Sequence, residues 1–199
     1  MGLPWGFMTA DSSAAPGSLE TVRGFVNTRD VESSVEALST AGALQGWLHE
    51  ASLLDVGAEA RPVDLPRARA LREALRSAMA ANHSATSLPA EALAVFNDVA
   101  QRADLSLRIT ADLRWAMRPR AGGIDRALGS LLVLVTDAIS DGTWRRLKVC
   151  LNDTCQWAFY DQSRARSGKW CSMQVCGNRA KQQAWRARNE KAGGGPMQV

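Results

Sequence analysis

No apolar run in this sequence is long enough to cross a bilayer. The strongest, residues 131–135 (LLVLV), spans five residues, against the roughly 20 that a helical span needs. The N-terminus has no basic segment followed by an apolar stretch, so no secretory signal is expected. Gly6 stands where the myristoylation pattern asks for Ser or Thr. Histidine is scarce: His49 and His83 both fall inside expected helices, far from the cysteines, where a lone histidine is most often a surface or core residue. No internal repeat is present. The chain has 199 residues, 46% hydrophobic and 22% charged. That balance excludes wholesale disorder and allows one medium domain or two small ones. The expectation is a soluble cytoplasmic protein with no membrane partner.

The net charge of +4 is unevenly spread. Residues 144–191 hold eleven basic and three acidic groups, a net +8, while residues 1–143 hold thirteen basic and seventeen acidic groups, a net −4. An acidic body with a basic C-terminal end is suited to a phosphate backbone. A basic surface that serves solubility alone is the competing reading.

All four cysteines lie in the basic segment: Cys150, Cys155, Cys171 and Cys176. They read C-x4-C, fifteen residues, C-x4-C. Two close pairs separated by a longer loop can bring four thiolates to one tetrahedral ion, and thiolates suit zinc. One structural Zn2+ is therefore expected. Two disulfides or four free buried thiols are the alternatives; the first needs an oxidising compartment, and the second needs no regular spacing. A segment this short has little core of its own, which makes a metal staple useful.

Helical periodicity predicts helices over 19–27 (after Ser18), 40–54, 64–83 (capped by Asp64), 87–103 and 124–140. Between the last two, Leu105, Leu107 and Ile109 alternate with polar residues, as do Leu113, Trp115 and Met117, which predicts a β-hairpin. Strands are expected at 144–149 and 157–160, and a helix from Cys176 to about Asn189. The fold class is α+β, mainly helical. It comprises a loose leader (1–18), a mainly helical domain with a β-hairpin (19–143), a small treble-clef-like four-cysteine zinc module (144–191) and a tail (192–199).

On the last helix, Ala180, Ala184 and Ala187 share a side suited to close packing. Arg179, Gln182, Gln183 and Arg186 share another, with Lys181, Trp185 and Arg188 on a flank. Arg and Gln are side chains that reach guanine and adenine edges. A solvated helix face is the competing reading. The loop between the cysteine pairs adds Arg164, Arg166 and Lys169, placed to hold phosphates. Trp157, Tyr160 and Trp170 are expected to form the miniature core of the module, with stacking on single-stranded bases as the alternative. Lys148, Lys169 and Arg179 lie close enough in sequence to soften the charge of four thiolates.

Residues 170–181 (WCSMQVCGNRAK) resemble the signature of the CGNR zinc-finger family, and residues 146–150 (RLKVC), Cys155 and residues 159–164 (FYDQSR) are similar to its first half. Residues 25–28 (FVNT) and 44–48 (LQGWL) resemble the ABATE-type domain that precedes this finger in bacterial proteins named as stress-induced transcription regulators. The resemblance implies a zinc site made by the four cysteines, a DNA-binding finger and an N-terminal domain with a sensing role. The chain departs from the pattern at Gln156, where many relatives carry Gly. It departs again in the basic loop 165–169, where relatives tend to carry Asn and paired arginines.

The expected function is a DNA-binding transcription regulator acting on duplex DNA. The N-terminal domain would take a small-molecule effector or mediate assembly, and a homodimer would fit a palindromic site. An RNA-binding or protein-interaction zinc module is the alternative. No nucleophile–base pair, phosphate loop or second metal motif is found, so no enzyme is expected. Asn27, Thr28 and Arg29 are candidates for a ligand pocket in the N-terminal domain, or else cap a helix end.

Overall fold

A computed structural model describes residues 13–84 and 86–193. Leu19, Val22, Phe25 and Val26 recur at helical spacing and form the buried side of α1 (Leu19–Val26). In α2 (Ala41–Glu50) the Thr40 hydroxyl accepts the Ala43 N–H at 3.1 Å, which satisfies one open donor of the first turn. α3 (Asp64–Ala81) buries Ala68, Leu71, Leu75 and Met79. α4 (Ala90–Arg102) begins after Pro89, and the apolar α5 (Gly123–Ser140) ends at Asp141 and Gly142. No helix among the described residues is long and apolar enough to cross a membrane.

Two expected caps work differently. Ser18 occupies the cap position of α1, but its hydroxyl makes no cap bond. Asp64 is the first helical residue of α3 rather than its cap. Its buried carboxylate accepts the Arg61 N–H at 2.9 Å and pairs with Arg67. It therefore secures the loop that enters the helix.

Three antiparallel strand pairs join the helices. β1 (Arg29–Asp30) and β2 (Val35–Glu36) are two residues each, too short for any period to reveal. β3 (Leu105–Ile109) pairs with β4 (Trp115–Pro119), Leu107 opposite Met117 and Ile109 opposite Trp115. The second strand starts two residues later than its alternation implies. Leu113 adopts φ 59° in the turn, where its N–H donates to Thr110 O. β5 (Leu147–Val149) pairs with β6 (Ala158–Tyr160), and Trp144–Arg146 form a 3-10 turn rather than the start of a strand.

One core runs through the described chain. Val22, Phe25, Leu71, Leu75, Leu128 and Leu131 form its centre, and Leu147, Val149 and Ala158 belong to it too. Each such side chain contributes about 1.5–3 kcal/mol on burial. The β5–β6 hairpin thus packs on α1 and α3 across the expected boundary at 143/144. Gly129 lets α5 close on the end of α4, because a Cβ there would overlap Ala103. The expected loose leader is docked from Ser13 onward. Ser13 and Ala15 are buried, and the Tyr160 N–H donates to Ser13 O at 2.9 Å. Residues 1–12, and 194–199 of the expected tail, lie outside the described residues.

Candidate metal centre and nucleic-acid interface

β5 delivers Cys150, whose N–H donates to Trp157 O at 2.9 Å. The chain then turns on Asn152. Its carbonyl accepts the N–H groups of Cys155 (2.8 Å) and Gln156 (3.1 Å), and its side-chain oxygen accepts from Thr154. Gln156 leaves this turn at φ 51°, the left-handed region that favours glycine. The second pair stands on a turn opened by Ser172, whose hydroxyl accepts the Val175 N–H at 3.3 Å; the wide turn Met173–Gly177 then runs into α6 (Asn178–Gly193).

These turns bring the four sulfurs together. All lie within 4.8 Å of one another, with Cys155–Cys171 at 3.7 Å and Cys171–Cys176 at 3.8 Å. A tetrahedron of sulfurs about 2.3 Å from zinc has edges of about 3.8 Å, so this donor set fits one structural ion with no open position. Hydrogen bonds from the Cys155 and Cys171 thiols hold the Cys150 thiol far below its usual value. Their hydrogen bonds to Cys150, with burial, push Cys155 and Cys171 up. Thiolates this close repel one another, and a bound cation would offset that repulsion. Trp157 and Trp170 pack against the cluster, whereas Tyr160 packs on the main core.

Lys148 does not serve the cluster charge. It is buried, pairs with Asp161 at 2.7 Å and donates to Arg166 O at 2.6 Å. Asp161 also accepts the N–H groups of Ser163 and Gly168. Burial pushes its carboxyl up, but Lys148 and these donors outweigh burial and hold it at about 2. Gly168 is required here, since a Cβ would meet the carboxylate at 2.8 Å. This staple, absent from the sequence expectations, folds the loop outward, so that Arg164, Arg166 and Lys169 are exposed. Arg179 pairs with Glu32 of the β1–β2 turn at 2.5 Å, and the Cys155 and Cys176 sulfurs add to the pull on its charge.

From 181 to 189 the α6 side chains stand in solvent. Lys181, Gln182, Gln183, Trp185, Arg186 and Arg188 are all exposed. Ala180 is half-buried, but Ala184 and Ala187 are exposed as well, so the alanine side does not pack as its spacing suggested. Ala180 and Gln183 line a small cleft with residues 151–154 of the first knuckle. Arg179 shares the exposed stretch but is tied to Glu32.

Asn27 and Thr28 are buried at the end of α1. The Asn27 amide bonds the backbone of Ala158, and the Thr28 hydroxyl donates to Phe25 O at 2.7 Å. Arg29 is exposed, and its carbonyl accepts from Arg76. The polar atoms of Asn27 and Thr28 join elements within the fold. Arg76 was not foreseen either. It is buried on α3 and donates to Gln156 O at 2.6 Å and Val26 O at 2.8 Å, tying the first knuckle to α1. His83 likewise serves structure, its Nε2 lying 2.6 Å from Val149 O.

A family model described as "Putative stress-induced transcription regulator", ABATE, matches residues 21–141, and one described as CGNR zinc finger matches residues 146–189. The chain belongs to the ABATE family. The ABATE match covers the helices and the β3–β4 ribbon, and the CGNR match covers both cysteine pairs and most of α6. The metal centre is the zinc site of the CGNR finger. No curated protein matches the chain.

Proposed function

We propose that this ABATE protein is a transcription regulator whose CGNR finger grips duplex DNA through α6, while the N-terminal domain modulates it through an effector or by assembly into a homodimer. The observation that carries this reading is the exposure of every side chain from 181 to 189 on a helix anchored at a zinc site. A mostly polar helical stretch exposed from 181 to 189 presents those side chains to a partner.

Gln182, Gln183 and Arg186 have the chemistry for base edges. Lys181, Arg188, Arg164, Arg166 and Lys169 would hold phosphates. Arg179 would join them once a phosphate displaces Glu32. Zinc, when bound, supplies rigidity alone; the chain's own groups make the contacts.

Binding to duplex DNA is measured against salt. A steep fall in log K with log [salt] is expected, and a flat line defeats the reading. Replacing Lys169, Lys181 and Arg188 together by Ala should shrink the slope by up to about 0.9 per lost phosphate contact, with zinc content unchanged. Structured RNA or single-stranded DNA that outcompetes duplex DNA would reassign the finger.

A further inference from the structure

A cleft of about 440 Å3 lies between the ends of α3, α4 and α5 and the base of the β3–β4 ribbon. Phe96 and Ala100 of α4, Leu132 and Val135 of α5, and Trp144 form its apolar walls. None of its fifteen lining residues is charged. Four other surface clefts each carry at least one charged side chain. The volume and the mainly apolar lining are those of a small-molecule site.

Its polar side chains are Asn82, Thr86, Asn97, Thr136 and the Trp144 indole, and two of them offer acceptors beside the apolar walls. Asn82 donates both amide hydrogens, to Trp144 O at 2.9 Å and Leu147 O at 2.8 Å, so its side-chain oxygen is its remaining hydrogen-bonding group. The Thr136 hydroxyl donates to Val133 O at 2.8 Å and keeps acceptor capacity. Asn97 lies at the exposed rim. An ionised ligand would lose water here and find no counter-charge.

We infer that this cleft binds a neutral, mostly aromatic or aliphatic molecule bearing a hydrogen-bond donor, and that its occupancy is felt by the zinc finger. The link is short. Asn82 and Trp144 line the cleft, and Asn82 holds the carbonyls at both ends of the turn that enters β5. His83, next in the chain, holds Val149 O, one residue before the first zinc ligand. A ligand that displaces Trp144 or bonds Asn82 therefore acts on the strand that carries Cys150. The binding half stands without DNA; the regulatory half rests on the function proposed above.

The test uses two dyes with one skeleton, added to the full zinc-loaded chain. N-phenyl-1-naphthylamine is neutral and carries an N–H; 8-anilinonaphthalene-1-sulfonate adds a negative charge. The neutral dye should bind saturably, one per chain, and at least about tenfold more tightly than the sulfonate, a difference of about 1.4 kcal/mol. Ala100→Trp should fill the cleft and abolish binding while zinc content and thermal midpoint hold. Absence of saturable binding, equal affinity for both dyes, or binding that survives Ala100→Trp in a folded protein overturns the site.

A second occupant is tested in the same experiment. Leu107, Ile109 and Trp115 are exposed on the ribbon face that continues from Leu105 and Met117. If the dye binds only after Leu107→Asp has split a dimer, the cleft belongs to a second copy's ribbon, and the proposal fails. Saturating neutral dye should also change DNA affinity at least about fivefold, the lower end of the usual range of coupling. An unchanged DNA affinity overturns the regulatory half alone. A protein that binds dye but no DNA overturns the proposed function and leaves the site standing.

Discussion

Asn27 pairs with the backbone of Ala158 as a neighbouring strand would. Its Nδ2 donates to Ala158 O at 2.9 Å, and the Ala158 N–H donates to its Oδ1 at 2.8 Å. One side chain at the end of α1 thereby extends the β5–β6 hairpin and locks the CGNR finger to the ABATE domain. Asn27→Ala should lower stability by about 1–3 kcal/mol, the cost of leaving buried backbone groups unpaired. Urea unfolding monitored by circular dichroism measures it. Asn27→Asp should not rescue, because a carboxylate has no hydrogen for Ala158 O.

Lys148 and Asp161 form a buried pair whose loss should be costly. Asp161→Ala leaves the ammonium without its partner, and about 3–5 kcal/mol is expected. The pH dependence follows from the depressed carboxyl. Its folded value of about 2 lies below the unfolded value near 3.9. The stabilisation is therefore complete above about pH 5 and is lost as pH falls toward 2. Wild type should lose stability across that window more steeply than Asp161→Asn, as read from unfolding midpoints at each pH.

Gln156 holds φ 51°, in the left-handed region that favours glycine. Gln156→Gly should raise stability by about 0.5–1 kcal/mol, since left-handed backbone strains a residue with a Cβ. The Arg76 bond to the carbonyl of residue 156 is retained in that variant. A lower unfolding midpoint would show that side-chain contacts outweigh backbone strain there.

Zinc removal should unravel only part of the finger. Leu147, Val149 and Ala158 belong to the main core, but Cys150, Cys155 and Cys176 lie in a separate small cluster. Chelation should therefore raise hydrogen exchange over residues 150–156 and 170–189 and spare β5 and β6. Acidification should release the metal, because protons compete for the thiolates. Uniform exchange across the chain after chelation would mean that the ion supports the whole fold. Metal content of the untreated protein should be one zinc per chain.

The five main helices and the ribbon were readable because their apolar residues recur at the helical or strand period over many positions. β1 and β2 were not, since two residues carry no period. The cysteine spacing, the charge step at residue 144 and the family signature each depend on residue type and order, and these are properties of the chain before it folds. The sequence by itself determined the zinc donor set, the helical body and the basic end.

Only the tertiary structure decided how the parts are joined. Asn27 and Lys148 look in sequence like polar candidates for a pocket and a metal-charge partner, and nothing in the sequence singles out Arg76. Folding gives Asn27 to Ala158, 131 residues away, Arg76 to the carbonyl of Gln156 and Lys148 to Asp161. A buried polar group must find a partner wherever the fold places one, and such partners are set by packing across the chain rather than by local pattern. For the same reason the neutral cleft emerged only once α3, α4, α5 and the ribbon were set side by side.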